Sequence, residues 1–234
     1  MPEHRLNFHQ ELEEIRENIV RLAAMATEFI PRGTEVLLSM DLRGAQSLIE
    51  EDDVLDELSI QIEDHCYHVL ALQQPMASDL RAIVTAIRLT SEIERSADLM
   101  VNVGKATRRL YGTPVPLPLH SLLRGMSGEA VRLYHLAMDA YADGDANLAG
   151  ALDDMDDRLD QIHGDYIQAV LELHAGAGDV QAAVQLALVG RYYERIGDHA
   201  VNIGERVQYM VTGWLPEHTG AARYAARRAS DDAS

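Results

Sequence analysis

Aromatic side chains are scarce in this sequence: two Phe, one Trp and nine Tyr make up 5% of its 234 residues. A core with so few rings must be built from Leu, Ile, Val, Ala and Met, which suits helix bundles better than β-sandwiches. Cysteine is scarcer still. A lone Cys66 excludes an intrachain disulfide and any Cys-x-x-Cys motif, and it leans toward a reducing compartment. Basic residues are outnumbered, 20 Lys and Arg against 38 Asp and Glu, and the formal net charge of −18 argues against nucleic acid or anionic lipid as a partner. No apolar run approaches the roughly twenty residues that span a bilayer. Met1 to Gln10 is charged rather than apolar, so neither membrane insertion nor a secretory signal is expected, and a cytoplasmic location is. The sequence also has no Gly-rich phosphate loop, no nucleophile elbow and no nucleophile with an adjacent base, which speaks against an enzyme.

What the chain does have is helical periodicity. A first helix is expected from about Glu3 to Ser39 on Leu12, Ile15, Ile19, Leu22, Met25 and Phe29, with a kink or short break at Pro31 and Gly33. Asp41 reads as the cap of a second helix, to about Leu72, in which Leu48, Leu55, Ile62 and Val69 recur every seven residues. Gln73-Gln74-Pro75 makes the next turn, with Pro75 near the first turn of a third helix, which reaches about Leu110. The stretch from Gly112 to Pro118 is the strongest breaker in the chain and reads as a domain boundary. Three more helices follow, from about His120 to Ala142, then to about His174, then to about Thr212. The fold class is therefore all-α: two tandem antiparallel three-helix bundles, residues 1–112 and 113–216, with a flexible tail over 217–234.

The two halves share polar residues as well as apolar ones. Glu94-Arg95-Ser96-Ala97-Asp98-Leu99-Met100-Val101-Asn102-Val103-Gly104 returns one hundred residues later as Glu194-Arg195-Ile196-Gly197-Asp198-His199-Ala200-Val201-Asn202-Ile203-Gly204, and Asp79 maps to Asp179. Hydrophobic periodicity constrains apolar positions only, so this match implies a duplicated unit with a duplicated polar feature. Glu194, Asp198 and Asn202 recur every four residues, outside the seam of Leu186, Val189, Tyr193, Ile196, Ala200 and Ile203, and Glu94, Asp98 and Asn102 do the same in the first half. These acids project from the flank of each bundle. The pairs Asp52/Asp56 and Asp156/Asp160, at an offset of 104, supply further carboxylates from the second and fifth helices. Like charges four apart repel. A cation shared among four carboxylates would cancel that repulsion, and hard or borderline metals favour such oxygen ligands. The alternative is a solvated acidic face in which Arg95 and Arg195 pair with Asp98 and Asp198. His199 reads as a surface histidine, since its counterpart is Leu99.

These residues resemble the PhoU family of accessory regulators of phosphate-specific transport. The resemblance lies in Gln74-Pro75-Met76-Ala77-Ser78-Asp79-Leu80-Arg81, in Glu94-Arg95 through Asn102, and in Glu194-Arg195 through Ile203, and it spans about residues 5 to 212. It implies a negative regulator of the phosphate-starvation response, an adaptor between a PstB-type transporter ATPase and a PhoR-type sensor histidine kinase. Such a protein would be cytoplasmic, recruited to the inner membrane through its partners. Metal binding by Glu94, Asp98, Glu194 and Asp198 with Asp52, Asp56, Asp156 and Asp160 would involve iron, zinc, magnesium or manganese. Arg81, Arg95, Asn102, Arg195 and Asn202 are the candidates for partner binding, and cation-bridged acidic bundles would suit a homodimer. The first half departs from the pattern, with Ser96-Ala97 for Ile-Gly and Leu99 for His, and Gln181 stands opposite Arg81. The competing reading is a carboxylate-bridged di-metal oxidoreductase, but that class uses inward-facing Glu-x-x-His motifs, and none of the ten histidines has Glu three residues before it.

Overall fold

The computed structural model describes residues 2–174 and 179–214, and the expected tail over 217–234 lies outside them. The described residues form α1 (Pro2–Ser39), α2 (Leu42–Gln73), α3 (Ser78–Arg109), α4 (Leu117–Asp143), α5 (Ala146–His174) and α6 (Val180–Thr212). α1, α2 and α3 pack on one another as one bundle and α4, α5 and α6 as a second; the bundles meet where α3 lies on α6 and α1 on α4.

Local sequence explains the helix ends. The Asp41 carboxylate accepts from the Arg43 N–H and caps α2, and Asp179 caps α6 by accepting from the N–H groups of Gln181 and Ala182. α4 stops at Gly144, whose φ of +63° is the left-handed conformation that closes many helices. Two prolines, Pro31 and Pro118, behave differently from expectation. α1 runs unbroken through Pro31, whose ring is exposed, while Ile30 and Thr34 on either side are buried. Packing along the whole helix outweighs one missing hydrogen bond. Gly33 is a contact rather than a breaker, because a Cβ there would collide with the Met100 side chain. Pro75 sits in the connecting turn, as expected, between Gln74 and Ala77, both at positive φ, and α3 starts at Ser78. α4 begins at Leu117, before the expected His120, since Pro118 is tolerated in a first turn where its N–H would have no partner.

The heptad row of α2 is wholly buried, and so is the α6 seam from Leu186 to Val207. Buried side chains from all six helices join in one core that crosses between the bundles. The largest of its fully buried side chains are Tyr134, Tyr166 and Tyr193, and each of these hydroxyls has a partner, as burial requires. Tyr166 donates to the Leu186 carbonyl at 2.9 Å, Tyr193 on α6 meets Thr34 Oγ1 on α1 at 2.7 Å, and Tyr134 on α4 bonds Ser96 Oγ on α3. The last two tie one bundle to the other.

The glycine repeated at the end of the duplicated motif has a packing role. A Cβ on Gly204 would stand 2.6 Å from the Ala149 carbonyl oxygen of α5, and one on Gly104 would stand 3.3 Å from the Ala45 carbonyl oxygen of α2. Ala45 and Ala149 are themselves 104 residues apart, so both bundles repeat the same close helix crossing. Gly204→Ala should destabilise the protein by about 1–3 kcal/mol through overpacking, although alanine is the better helix former by about 1 kcal/mol. Gly104→Ala should be nearly neutral. Urea unfolding of the two variants tests this ranking, and equal losses would contradict it.

Candidate functional site

Two carboxylate faces sit where α2 meets α3 and where α5 meets α6. In the first, Asp52 and Asp56 of α2 lie within electrostatic reach of Glu94 and Asp98 of α3. Burial, and then the charges of Asp56, Asp98 and Glu94, push the Asp52 carboxyl up to about 7. Burial and Asp98 also raise Asp56, while burial, Asp98 and Asp56 raise Glu94. In the second face, burial and then Asp160 and Asp198 push Asp156 up to about 7. The structure thus brings the acids from neighbouring helices onto shared faces.

The faces differ in detail. Asp156 is only 8% exposed, and its Oδ1 has no hydrogen-bond partner. It lies against Gly197, where a Cβ would collide with that oxygen. In the first half Ala97 takes the place of Gly197, and Asp52 is less deeply set. Glu194 is held by Arg191, whose guanidinium also lies 3.9 Å from Asp198. Among the described residues neither Arg95–Asp98 nor Arg195–Asp198 forms an ion pair; both arginines are exposed.

The asparagines and one histidine belong elsewhere. Each four-residue step carries a row about 40° round the helix, so by Asn202 the row that starts at Glu194 has turned toward α3. Asn202 Nδ2 donates to Glu92 Oε2 at 3.0 Å, and His199 Nδ1 lies 2.6 Å from the same oxygen. His199, expected at the surface, is buried at 5% exposure in the contact between bundles. Burial pushes the Glu92 carboxyl up, but the bonds from His199 and Asn202 outweigh it and hold Glu92 below its ordinary value. Sequence reasoning missed Glu92 because its counterpart is Tyr192, so the repeat does not mark it. Arg81 is also committed within the fold: its Nε donates to the Met210 carbonyl at 3.1 Å, near the C-terminal end of α6. Asn102 is half-buried on α3. Cys66 is buried and its thiol is pushed up to about 12, so it offers no nucleophile.

Carboxylate oxygens alone, with the orphaned Asp156 Oδ1 among them, form a donor set whose chemistry suits a hard cation. As placed, no three such side chains among the described residues converge tightly enough to hold one. Among the described residues no helix is long and apolar enough to cross a membrane.

The fold and the site define a class: a duplicated three-helix bundle with a carboxylate face on the flank of each half. Comparison with known proteins narrows this. The PhoU domain model matches residues 19–107 and 123–207. The chain is 32% identical to the phosphate-specific transport system accessory protein PhoU homolog 1 of Mycobacterium tuberculosis, over 93% of this chain and 98% of that one. Its fold is similar to the crystal structure of PhoU from Pseudomonas aeruginosa (27% identity, TM-score 0.81, covering 88% of this chain and all of that one). It is also similar to that of the phosphate transport system regulatory protein PhoU from Streptococcus pneumoniae (25% identity, TM-score 0.80, covering 89% and 98%). The chain belongs to the PhoU family of phosphate transport system accessory and regulatory proteins. Membership of this family of regulators sets the oxidoreductase reading aside.

The raised carboxyls carry a pH dependence. Asp52 and Asp156 have folded values near 7 against an ordinary 3.8, so the stability they contribute is complete below about pH 3.8 and is lost as pH rises through about 7. With chelator present, Asp156→Asn should raise the stability by about 1 kcal/mol at about pH 8, solvent screening allowed for, and leave it unchanged at about pH 4. Calorimetric melts at the two pH values check this; a gain that is the same at both would be wrong for the cause given.

Proposed function

We propose that this protein is a negative regulator of the phosphate-starvation response. In this reading it is a cytoplasmic adaptor between a PstB-type ATPase of the phosphate transporter and a PhoR-type sensor histidine kinase. It keeps the kinase from activating its response regulator while phosphate is ample, and it modulates phosphate uptake. The observation that carries the reading is the pair of carboxylate faces, one per bundle, whose acids raise one another's proton affinity. Such faces attract cations or a basic patch on a partner and repel phosphate itself. The names of the relatives, accessory and regulatory proteins of phosphate transport, support the same system.

The metal, by the chemistry of the ligands, is iron, zinc, magnesium or manganese, bound through Asp52, Asp56, Glu94 and Asp98 and through Asp156, Asp160, Glu194 and Asp198. Arg95 and Arg195, exposed beside these faces, are the partner-binding residues, with Asn102 at their edge; Arg81 and Asn202 act by fixing the helices that carry them. Recruitment to the inner membrane goes through the transporter and the kinase, and a cation shared between acidic faces would join two copies as a homodimer. A partner changes the output only by binding one state better than another.

Cells lacking this protein and grown in abundant phosphate should show high alkaline phosphatase output, returned to low by the wild-type chain. The variant with both Asp98→Ala and Asp198→Ala should fold, since both side chains are exposed, yet fail to restore repression. Low output in the deletion strain would refute the regulatory role. Full repression by the double variant would leave the carboxylate faces without a part in it.

A further inference from the structure

The end of α3 breaks the duplication in charge. Lys105, Arg108 and Arg109 follow directly after the repeated motif and, at steps of three and four, share one side of the helix. One hundred residues later stand Glu205, Gln208 and Tyr209, which bring one acid and no cation. The three cations are exposed, and among the described residues none enters an ion pair, in a chain with 38 acids against 20 bases. Asp52 is within electrostatic reach of Lys105 but beyond ion-pair distance. Both guanidiniums are held by neutral amides instead. Arg108 Nη1 donates to Gln46 Oε1 of α2 at 3.3 Å, and Arg109 Nη1 donates to Gln185 Oε1 of α6 at 3.4 Å. The arginines are thus drawn apart toward neighbouring helices, with Lys105 between them one turn back. Together the three side chains line a concavity of about 380 Å³. Attraction to the carbonyl end of α3 accounts for a cation in its last turn, where Arg108 and Arg109 lie. It accounts neither for Lys105, which precedes that turn, nor for the amide partners on two other helices.

We infer that Lys105, Arg108 and Arg109 form a binding site for a compact anion that carries two or more phosphoryl groups. A carboxylate partner would neutralise a guanidinium, whereas an amide oxygen positions it and leaves its charge in place. Gln46 also donates to Glu50 Oε1, which keeps that carboxylate one side chain away from Arg108. Each exposed charge contact is weak alone, so three in one concavity favour a ligand with several negative charges close together. Guanidinium groups match phosphoryl oxygens bidentately, and each arginine keeps N–H groups that its glutamine does not use. A flat acidic protein surface would meet the rim and leave the concavity unfilled. An extended polyanion would bring further charges against a chain of net charge −18. The site is independent of the reading of the carboxylate faces given above.

The test is calorimetric titration of the full chain with tripolyphosphate, in low-salt buffer freed of metal over a chelating resin. The wild type should bind it at a single site, more weakly as salt is added. Arg108→Gln, Arg109→Gln and Lys105→Gln should each weaken binding by roughly fivefold. Arg88→Gln removes an exposed charge of α3 outside the concavity and should leave binding unchanged. All four side chains are exposed, and circular dichroism melts verify that the variants fold. A second arm is sedimentation with phosphatidylcholine vesicles that contain cardiolipin, whose headgroup carries two phosphoryl groups. Retention on those vesicles, lost in Arg108→Gln and Arg109→Gln, without tripolyphosphate binding, would assign the same site to a lipid headgroup. Binding of neither probe would overturn the inference. So would binding that the three substitutions leave unmoved, or a loss in Arg88→Gln equal to that in Arg109→Gln.

Discussion

α3 and α6 run against each other through the middle of the molecule, and that contact limits what every other element can do. Each of these helices turns one side to its own bundle and another to the opposite bundle, which leaves a narrow strip for solvent. Glu94 and Asp98 occupy that strip on α3, and Glu194 and Asp198 occupy it on α6. The contact itself is mostly apolar but includes a buried polar knot in which Glu92 receives His199 and Asn202. Burying such a pair is costly unless its hydrogen bonds are met. Here two side chains of α6, His199 and Asn202, meet one carboxylate of α3 and set the register of one bundle on the other.

Duplication supplies the shape, and the residues that break it supply the differences. The Gly–Ala crossings at Gly104 with Ala45 and Gly204 with Ala149 bring α2 onto α3 and α5 onto α6 at matching positions, the second more tightly than the first. Against that common frame, Leu99 faces its counterpart His199, Tyr192 replaces Glu92, and Gly197 replaces Ala97. The last exchange has a direct geometric result, since the missing methyl lets Asp156 sink onto α6 further than Asp52 sinks onto α3. Two faces of one ancestry thus differ in depth and in charge.

The arrangement stores repulsion on the outside of a well-packed core. Apolar burial across six helices holds the carboxylates together, and burial with their mutual charge raises the proton affinity of Asp52 and Asp156. A regulator gains from this, because a surface that is unsatisfied alone discriminates sharply between having a partner and having none. In the interior, by contrast, Tyr134 and Tyr193 bond across the bundles, and Cys66 is inert.

Much of this was legible before any coordinates. The seven-residue row from Leu48 to Val69 named the buried side of α2, Asp41 named its cap, and the repeat of Glu, Asp, Asn and Gly named the helices that carry the acids. Those features are local, governed by period, capping and composition, and a linear chain displays them. The break expected at Pro31 is absent because a helix packed along its length tolerates one lost hydrogen bond. His199 and Glu92 were invisible as a pair, since they lie 107 residues apart and neither has a like counterpart in the other half. The sequence by itself determined the helices, their number and the identity of the acids. Only the tertiary structure decided which acids share a face and that the asparagine row rotates away from them. Those outcomes depend on how helices cross and turn toward one another, which is settled by packing between distant segments.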